Sequence, residues 1–403
     1  MRDTCWTLVA VVVAGCGGGG GGTPSDGPTR VDAARIDAAG PDVDGPVVDA
    51  DPGLDAAVDA APPVDAMVDA MPSPCALAPL GLGVKTLAGC AEAGNSNGAR
   101  EVARFTNPVN VAALADGAIV VADFDLDRLR RVLPDGTTSN LTVQAGFIRP
   151  FGLAVTATGV LYVQTDANPQ GLRNATTGTI WQVDPSSGVA TALIQDIGRP
   201  RGMVALADGR LVLADYLHHV ISVFDPAAPA GSNLTVVAGA ADQAGHVDDT
   251  GAAARFNRPY GLAVLPDGAV AVADYENHRI RRLDLGTGAV TTLAGDGMVG
   301  ADDGDVATAS FNHPQDLAVD GTGRLYVADT DNYRVRRISA GQVSAVLGDG
   351  TAGYHDDDVH GSAQLFGLEG IDYSAFDGKL YLADGNRGEV TNLHNRIRVS
   401  TIP

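Results

Sequence analysis

The chain has 403 residues, with 27 Lys and Arg against 49 Asp and Glu and a net charge of −22. This acidity argues against a nucleic-acid partner, because phosphates are bound by clustered Lys and Arg side chains. The length allows two or three domains, or one large all-β unit.

The N-terminus is typical of an export signal. Arg2 precedes a short apolar run, residues 6–14, which is too short to span a bilayer. The sequence VAGC that ends at Cys16 resembles the lipobox of bacterial lipoproteins, which implies cleavage before Cys16 and lipid attachment to its thiol. We therefore expect residues 1–15 to be a lipoprotein signal peptide and Cys16 to be the lipidation site. The alternatives are an ordinary secretory signal and a misassigned start codon.

The segment 16–74 has the composition of a disordered tether. Six glycines are followed by repeats of Val-Asp-Ala, Asp-Ala-Ala and Pro without any aromatic residue, and residues 23–74 hold 11 Asp against 2 Arg. Such a segment buries too little apolar surface to offset its chain entropy. As a flexible chain it spans roughly 40–45 Å, and more with charge repulsion. It would hold a folded domain at a distance from the membrane to which Cys16 is anchored. We expect the protein in a bacterial cell envelope, at the outer membrane or the cell surface.

Two cysteines remain once Cys5 and Cys16 are assigned to the signal and the lipid. Cys75 and Cys90 form an even pair in an exported chain, which favours a disulfide over two unpaired thiols. Such a bond closes a loop of about 15 residues and contributes about 3 kcal/mol in the chain-entropy estimate.

Six similar units fill residues 75–403. Each opens with Pro, or an equivalent residue, before a short apolar segment, and continues through a Gly-containing turn to an apolar run that ends in Asp. The first five openings lie 42, 50, 59 and 55 residues apart. This period, with short strands that are apolar on both faces, is typical of a β-propeller. The apolar runs are AIVVAD, LYVQTD, LVLAD, AVAVAD, LYVAD and LYLAD.

One unit in particular, residues 257–295, contains the elements RPYGLAV, PDG, VAD and NHRI. These elements resemble an NHL repeat, and the units together resemble a six-bladed NHL β-propeller of the TolB-like type. The resemblance implies an all-β fold, is strongest in 257–295 and 312–348, and is weakest in 147–198. The last unit lacks a fourth strand, whereas GVKTLAG (83–89) matches the fourth strand AVTTLAG (289–295). We therefore expect the N-terminal strand to complete the sixth blade.

The polar turn between the second and third strands is the most prominent repeated motif. Aligning the units places Asp274 with Asp123, Asp166, Asp215, Asp329 and Asp384, and places His278 with His219, Tyr333 and Asp127. A catalytic group is rarely exchanged among His, Tyr and Asp. An Asp at a strand end is well suited to accept backbone N–H bonds, so the motif is predicted to fasten the turn.

Binding residues are expected on the propeller face that carries the longer loops. The residues just after the opening Pro, or its equivalent, should surround the opening of the central channel on this face: Val109, Phe151, Arg201, Tyr260, Gln315 and Glu369. The residues just before it are Asn107, Arg149, Arg199, Arg258 and His313. Arginines beside aromatic side chains suit an anionic or planar ligand. The alternative, which is favoured for each arginine before the Pro, is that these arginines bind carbonyls or carboxylates between blades. The candidate binding residues are Arg149, Phe151, Arg199, Arg201, Arg258, Tyr260, His313 and Gln315.

Acidic loops between blades offer oxygen ligands at 246–249, 302–305 and 355–358. One interpretation is that these loops bind Ca²⁺ weakly. The favoured interpretation is that their Asp residues only shape the turns. The second unit differs from the others, because its turn at 167–179 is expanded and its crossing to the next unit is short. Such asymmetry is expected where a blade forms the rim of a pocket or contacts a partner. Sequence drift without a function would produce the same asymmetry.

Two functional classes follow from these observations. The favoured one is a monomeric binding or scaffolding propeller for a protein, peptide or glycan of the cell envelope, without a cofactor and with a lipid anchor as its only link to the membrane. The other is an enzyme that resembles metal-dependent lactonase or lyase propellers, with a cation held by Asn110, Asp316 and Glu369. The nearby arginines and the lack of a His-rich ligand set or a Gly-x-Ser-x-Gly motif argue against the enzyme.

Overall fold

The computed structural model describes residues 75–388 and 394–402, and these form an all-β, six-bladed propeller. The predicted fold class is confirmed. The expected signal peptide, the tether and the lipidation site Cys16 lie outside the described residues. Within the described part of the chain, no helix is long and apolar enough to cross a bilayer.

Each of the first three blades is a four-stranded antiparallel sheet whose strands follow chain order. A separate strand, β1 (Val84–Cys90), precedes them. Blade 1 contains β2 (Pro108–Ala113), β3 (Ile119–Asp123), β4 (Arg128–Val132) and β5 (Thr138–Thr142). Blade 2 contains β6 (Pro150–Val155), β7 (Leu161–Thr165), β8 (Thr179–Val183) and β9 (Ala190–Ile194). Blade 3 contains β10 (Gly202–Ala205), β11 (Leu211–Asp215), β12 (Val220–Phe224) and β13 (Leu234–Gly239).

The remaining blades repeat this order with two additions, a short edge strand in blade 5 and the N-terminal strand in blade 6. Blade 4 contains β14 (Pro259–Val264), β15 (Val270–Asp274), β16 (Arg279–Leu283) and β17 (Val290–Ala294). Blade 5 contains β18 (Gly304–Asp305), β19 (Pro314–Val319), β20 (Leu325–Asp329), β21 (Arg334–Ser339) and β22 (Gln342–Leu347). Blade 6 contains β23 (Gly367–Ser374), β24 (Lys379–Gly385), β25 (Asn395–Thr401) and β1. Short 3-10 helices lie at Phe124–Leu126, Gly251–Ala253, Tyr275–Asn277, Thr330–Asn332 and His360–Ser362.

The ring closes in blade 6, where β1 pairs antiparallel with β25. Val84 lies opposite Ser400 and Cys90 opposite Asn395, so closure by the N-terminal strand is confirmed. Cys90 also forms a disulfide with Cys75, with the two Cα atoms 6.2 Å apart, as the sequence predicted. The disulfide therefore fastens the start of the domain to the strand that closes the ring.

The core lies between neighbouring blades. The second strands are buried on both faces, as in β15, where all five residues are buried. Ala271 and Ala273 of blade 4 pack in one cluster with Leu317 and Val327 of blade 5. Small residues on one sheet face larger ones on the next, which allows close packing of the blades. The unbroken apolar runs of the sequence thus correspond to strands sandwiched between sheets.

The strand-end Asp of four blades forms a buried ion pair with an Arg on the third strand. Asp274 accepts from Arg281 Nη1 at 2.6 Å and from the Asn257 backbone N–H at 2.8 Å. Neither side chain of the Asp274–Arg281 pair is exposed, so each charge depends on its partner for solvation. The four pairs are Asp123–Arg130, Asp274–Arg281, Asp329–Arg336 and Asp384–Arg398. The predicted structural role of this Asp is confirmed, but the backbone N–H that it accepts comes from the segment before the first strand and not from the turn.

His278 also has a structural role, because it links two blades. Its backbone is left-handed, with φ 51°, and its Nδ1 accepts a hydrogen bond from the His313 backbone N–H of the next blade at 3.2 Å. Asp127 accepts from the Arg149 N–H at 2.8 Å in the same way. A shared acceptor role explains why His and Asp replace each other at this position. The further links are His219 with Arg258 and Asn395 with Asn107.

The structure of blade 2 shows that one position of the sequence alignment, Asp166, was assigned wrongly. Pro150 pairs with Thr165 in the register in which Pro259 pairs with Asp274, so Thr165, and not Asp166, is the counterpart of Asp274. The cause is the sequence LYVQTD, which is one residue longer than LYVAD. Trp181 occupies the position of Arg281 and donates its Nε1–H to Thr165 Oγ1 at 2.8 Å. A neutral pair thus replaces the ion pair, and Asp166 lies beyond the end of β7.

Candidate binding site at the mouth of the axial channel

A cavity of about 310 Å³ lies where the first strands of the blades begin. We call this cavity the mouth. The six residues that follow the opening Pro or its equivalent all line it, one from each blade. The predicted ring is therefore present as a geometric feature. The lining residues are Asn107, Val109, Phe124, Asp125, Arg149, Phe151, Arg173, Arg201, Tyr216, Tyr260, Tyr275, Gln315, Glu369, Arg387 and Gly388.

Aromatic rings form a continuous row along one side of the mouth. Phe151 packs edge-on against Phe124 at 5.8 Å and against Tyr260 at 5.6 Å. The ring centre of Tyr260 in turn lies 5.4 Å from that of Tyr216 and 5.7 Å from that of Tyr275. Phe151 and Tyr260 are buried, whereas Tyr216 and Tyr275 are half-buried. The two outer tyrosines therefore keep part of their surface accessible.

Arg201 lies in the middle of this row. Its guanidinium lies 4.6 Å from the ring centre of Phe151 and 4.7 Å from that of Tyr216. It donates to Asp166 Oδ2 at 2.5 Å and to Tyr260 Oη at 3.0 Å. Burial raises the pKa of Asp166, but Arg201 and Arg199 outweigh burial and hold it below its ordinary value. The charge of Arg201 is therefore matched by a carboxylate within the protein.

The residues before the opening Pro separate into two groups. Arg149 lines the mouth, with its guanidinium 5.2 Å from the ring centre of Phe124. Arg199, Arg258 and His313 do not line it. Arg199 is buried and donates to the Asn174 carbonyl at 3.1 Å, while Arg258 pairs with Glu276 at 3.3 Å. His313 binds Asp331, with Nδ1 and Oδ2 2.6 Å apart. These three contacts match the alternative of interactions within the scaffold.

Several mouth residues were not among the sequence candidates. Phe124, Tyr216 and Tyr275 each follow a strand-end Asp directly, so an aromatic residue after Asp in three units was an available signal. Arg173 comes from the expanded turn of blade 2, and Arg387 follows β24. The asymmetric turn of blade 2 thus contributes to the rim of the mouth.

Glu369 and Gln315 provide polar groups on the side of blades 5 and 6. Burial raises the pKa of Glu369 to about 7, although Arg387 and Arg201 act in the opposite direction. A carboxyl with this pKa is partly protonated at neutral pH, so it can donate as well as accept a hydrogen bond. The amide of Gln315 likewise provides both a donor and an acceptor.

The residues of the alternative metal site do not line one cavity. Asn110 and Asp316 line the axial channel, a cavity of about 450 Å³, whereas Glu369 lines the mouth. Asp316 accepts from the Ile371 N–H at 2.9 Å, and burial raises its pKa to about 7. Within residues 75–388 and 394–402, no group of three or more His, Cys, Asp or Glu side chains is arranged to hold a metal ion.

The acidic loops supply carboxylates to the buried arginines. Asp248 accepts from Arg281 Nη2 at 2.5 Å and from the Thr292 N–H at 2.9 Å. Asp303 binds Arg336 and Asp356 binds Arg398 in the same way. One carboxylate of each acidic loop is thus bound by a buried arginine of the scaffold.

Comparison with known proteins identifies the repeat. The family described as NHL repeat matches residues 256–283 and 311–338, which cover β14 to β16 of blade 4 and β19, β20 and all but the last residue of β21 of blade 5. Two of the six blades carry NHL repeats. These matches lie within the two segments in which the sequence resemblance is strongest.

One relative of known name matches the chain over a limited length. The Arabidopsis thaliana protein named Protein SUPPRESSOR OF QUENCHING 1, chloroplastic, is 40% identical over 105 residues, which cover 26% of this chain and 10% of that protein. The chain thus spans about a tenth of that relative's length.

Two solved structures from Bacteroides thetaiotaomicron share the propeller fold. One, a protein of unknown function, has a TM-score of 0.64 and 19% identity, and the match covers 79% of this chain and 76% of that one. The other, described as an auxiliary nutrient binding protein, has a TM-score of 0.60 and 17% identity, with coverage of 78% and 75%. At these identities the similarity establishes the fold alone.

Proposed function

We propose that this NHL-repeat propeller is a binding module that takes up its ligand at the mouth. The observation that carries the proposal is the convergence of one residue from each of the six blades on one cavity, with an aromatic row on one side and polar groups on the other. Binding pockets typically combine apolar and aromatic walls with a few placed polar groups. The solved propeller described as an auxiliary nutrient binding protein supports a binding role by analogy of fold.

The proposal includes display on a bacterial cell envelope. Cleavage before Cys16 and lipidation of its thiol would anchor the chain, and residues 16–74 would hold the propeller away from the membrane. The Cys75–Cys90 disulfide supports export, because such bonds persist in oxidising compartments. The ligand classes open to such a module are a protein, a peptide and a glycan of the envelope.

Capture of envelope components by the purified chain tests the binding role. The test variant is Tyr216→Ala/Tyr275→Ala, which shortens the two half-buried rings at the mouth. The matched control is Phe376→Ala, which removes an exposed ring that lines the axial channel at the β23–β24 turn, outside the mouth. We expect components that the unmodified chain and the control retain and that the double variant loses. Equal retention by all three chains would show that the mouth binds nothing.

Lipidation requires a separate test. Labelled palmitate supplied to expressing bacteria should be incorporated into the unmodified chain and not into Cys16→Ser. Incorporation into both chains, or into neither, would contradict the anchor.

A further inference from the structure

We propose that the ligand of the mouth is a neutral saccharide, with a sugar ring packed on the outer tyrosines Tyr216 and Tyr275 and its hydroxyls bound by the polar rim. This inference rests on the binding function proposed above and adds the chemical class of the ligand.

The first argument is the charge balance of the mouth. Arg201 is bound to Asp166, and Arg387 is bound to Asp331 at 2.5 Å. Arg149 and Arg173 both act electrostatically on Asp125 and Asp127. Two arginines that line the mouth are thus paired with carboxylates, and two others lie close enough to Asp125 and Asp127 to lower the pKa of these carboxyls against the larger effect of burial, which raises it. An anionic ligand would compete with these carboxylates, whereas a neutral ligand leaves the ion pairs intact.

The second argument is the combination of stacking surface and rim. One face of a pyranose ring is largely C–H and packs on aromatic rings, while its hydroxyls point outward around the edge. Tyr216 and Tyr275 flank Tyr260 and are half-buried. Arg201 covers one face of the Tyr216 ring and His313 one face of the Tyr275 ring, so the sugar would pack on the part of each ring that stays accessible. Each hydroxyl can donate and accept. Glu369 and Gln315 line the mouth from blades 6 and 5, where they hydrogen-bond each other and retain further donors and acceptors for a ligand.

The third argument is size. The mouth, at about 310 Å³, lies at the lower end of the range of roughly 300–1,000 Å³ found for small-molecule pockets. This volume suits one or two sugar rings, such as the end of a longer glycan. A folded protein partner would contact the surrounding loops and would not fill the cavity.

Calorimetric titration of the purified full chain with neutral oligosaccharides tests the class. The panel contains gluco-, xylo-, manno- and N-acetylgluco-oligomers, and oligogalacturonate serves as the anionic comparison. We expect binding of at least one neutral series with the same Kd from about 0.02 M to about 0.5 M salt. Tyr216→Ala/Tyr275→Ala should weaken it roughly tenfold or more through the loss of stacking, and Phe376→Ala should leave it unchanged. Preferred, salt-sensitive binding of oligogalacturonate would overturn the inference.

Mild periodate treatment of the envelope extract decides the case in which no oligomer of the panel binds. Periodate cleaves vicinal diols, so a saccharide that carries them should no longer be captured after treatment, and sugar analysis of the captured material identifies a saccharide that lacks them. Capture that requires the mouth, survives periodate and yields no sugar on analysis would overturn the saccharide and leave the binding function in place. Absence of any such capture would overturn both.

Discussion

Arg201 of blade 3 donates two hydrogen bonds to Asp166 of blade 2, from Nη2 to Oδ2 at 2.5 Å and from Nε to Oδ1 at 3.3 Å. Asp166 has no exposed surface, and the side chain of Arg201 is only 15% exposed. The pair exists because Thr165 and Trp181 occupy the positions that hold Asp and Arg in four other blades. The irregular blade thus supplies the carboxylate that positions an arginine among the aromatic rings of the mouth.

Arg201→Met should destabilise the protein strongly. The substitution leaves the buried Asp166 carboxylate without its main partner, which typically costs about 3–5 kcal/mol. The double variant Asp166→Asn/Arg201→Met should regain much of this loss, because it removes the unpaired charge as well. Urea unfolding followed by circular dichroism measures both free energies of unfolding. A loss below about 1 kcal/mol in the single variant, or no recovery in the double variant, would contradict the proposed dependence.

The ring architecture could be predicted because each unit repeats the same local signals. Apolar runs that end in Asp marked the second strands, and the match of residues 83–89 with 289–295 identified the closing strand. The ring of residues after the opening Pro followed from the fold alone, because equivalent positions in successive blades surround one axis.

Details that depend on register or on long-range contact could not be predicted. An aligned Asp in LYVQTD looks equivalent to the Asp of LYVAD, yet one additional residue changes its place in the ladder. The pairing of Arg281 with Asp248 joins residues 33 positions apart, and no local pattern indicates it. The Asp166–Arg201 pair could not be predicted for the same reason, since its two residues come from different blades.

Arg281→Met should be far more damaging than the change of its neighbour Arg282. Arg281 has no exposed side-chain surface, and its guanidinium holds Asp274 and Asp248 together. Its loss leaves the buried Asp274 charge unpaired, with an expected cost of about 3–5 kcal/mol. Arg282 lies on the same strand but pairs with Asp267 at the surface, so Arg282→Met should cost under about 1 kcal/mol.

The two variants share strand, substitution and charge change, which isolates the effect of burial. Urea unfolding of both gives the comparison. Equal free energies of unfolding for the two variants would show that the buried ion pair contributes no more than a surface pair does.

His313 gives the protein a stability that depends on pH. Burial lowers the pKa of its imidazole, but hydrogen bonds to Asp331 and Glu276 outweigh burial and raise the pKa to about 9. Tyr275 stacks on the ring at 4.5 Å, and His278 lies 4.6 Å away. The folded state thus binds the proton more tightly than the unfolded state, in which the ordinary pKa is 6.5. The stabilisation is complete below pH 6.5 and is lost as the pH rises through 9.

His313→Asn should remove this dependence. The backbone at His313 is left-handed, with φ 51°, and blade 1 has Asn107 in the same conformation at the equivalent position, so Asn should fit without new strain. Near pH 6 the variant should be less stable by about 1–2 kcal/mol, a modest figure because the His313–Asp331 pair is partly exposed and therefore screened by solvent. Near pH 9.5 the difference in the free energy of unfolding should shrink to a few tenths of a kcal/mol. Urea unfolding across this range measures it, with His355→Asn, an exposed histidine, as the control. A difference that stays constant with pH, or that grows as the pH rises, would mean that His313 is not held in its charged form by Asp331 and Glu276.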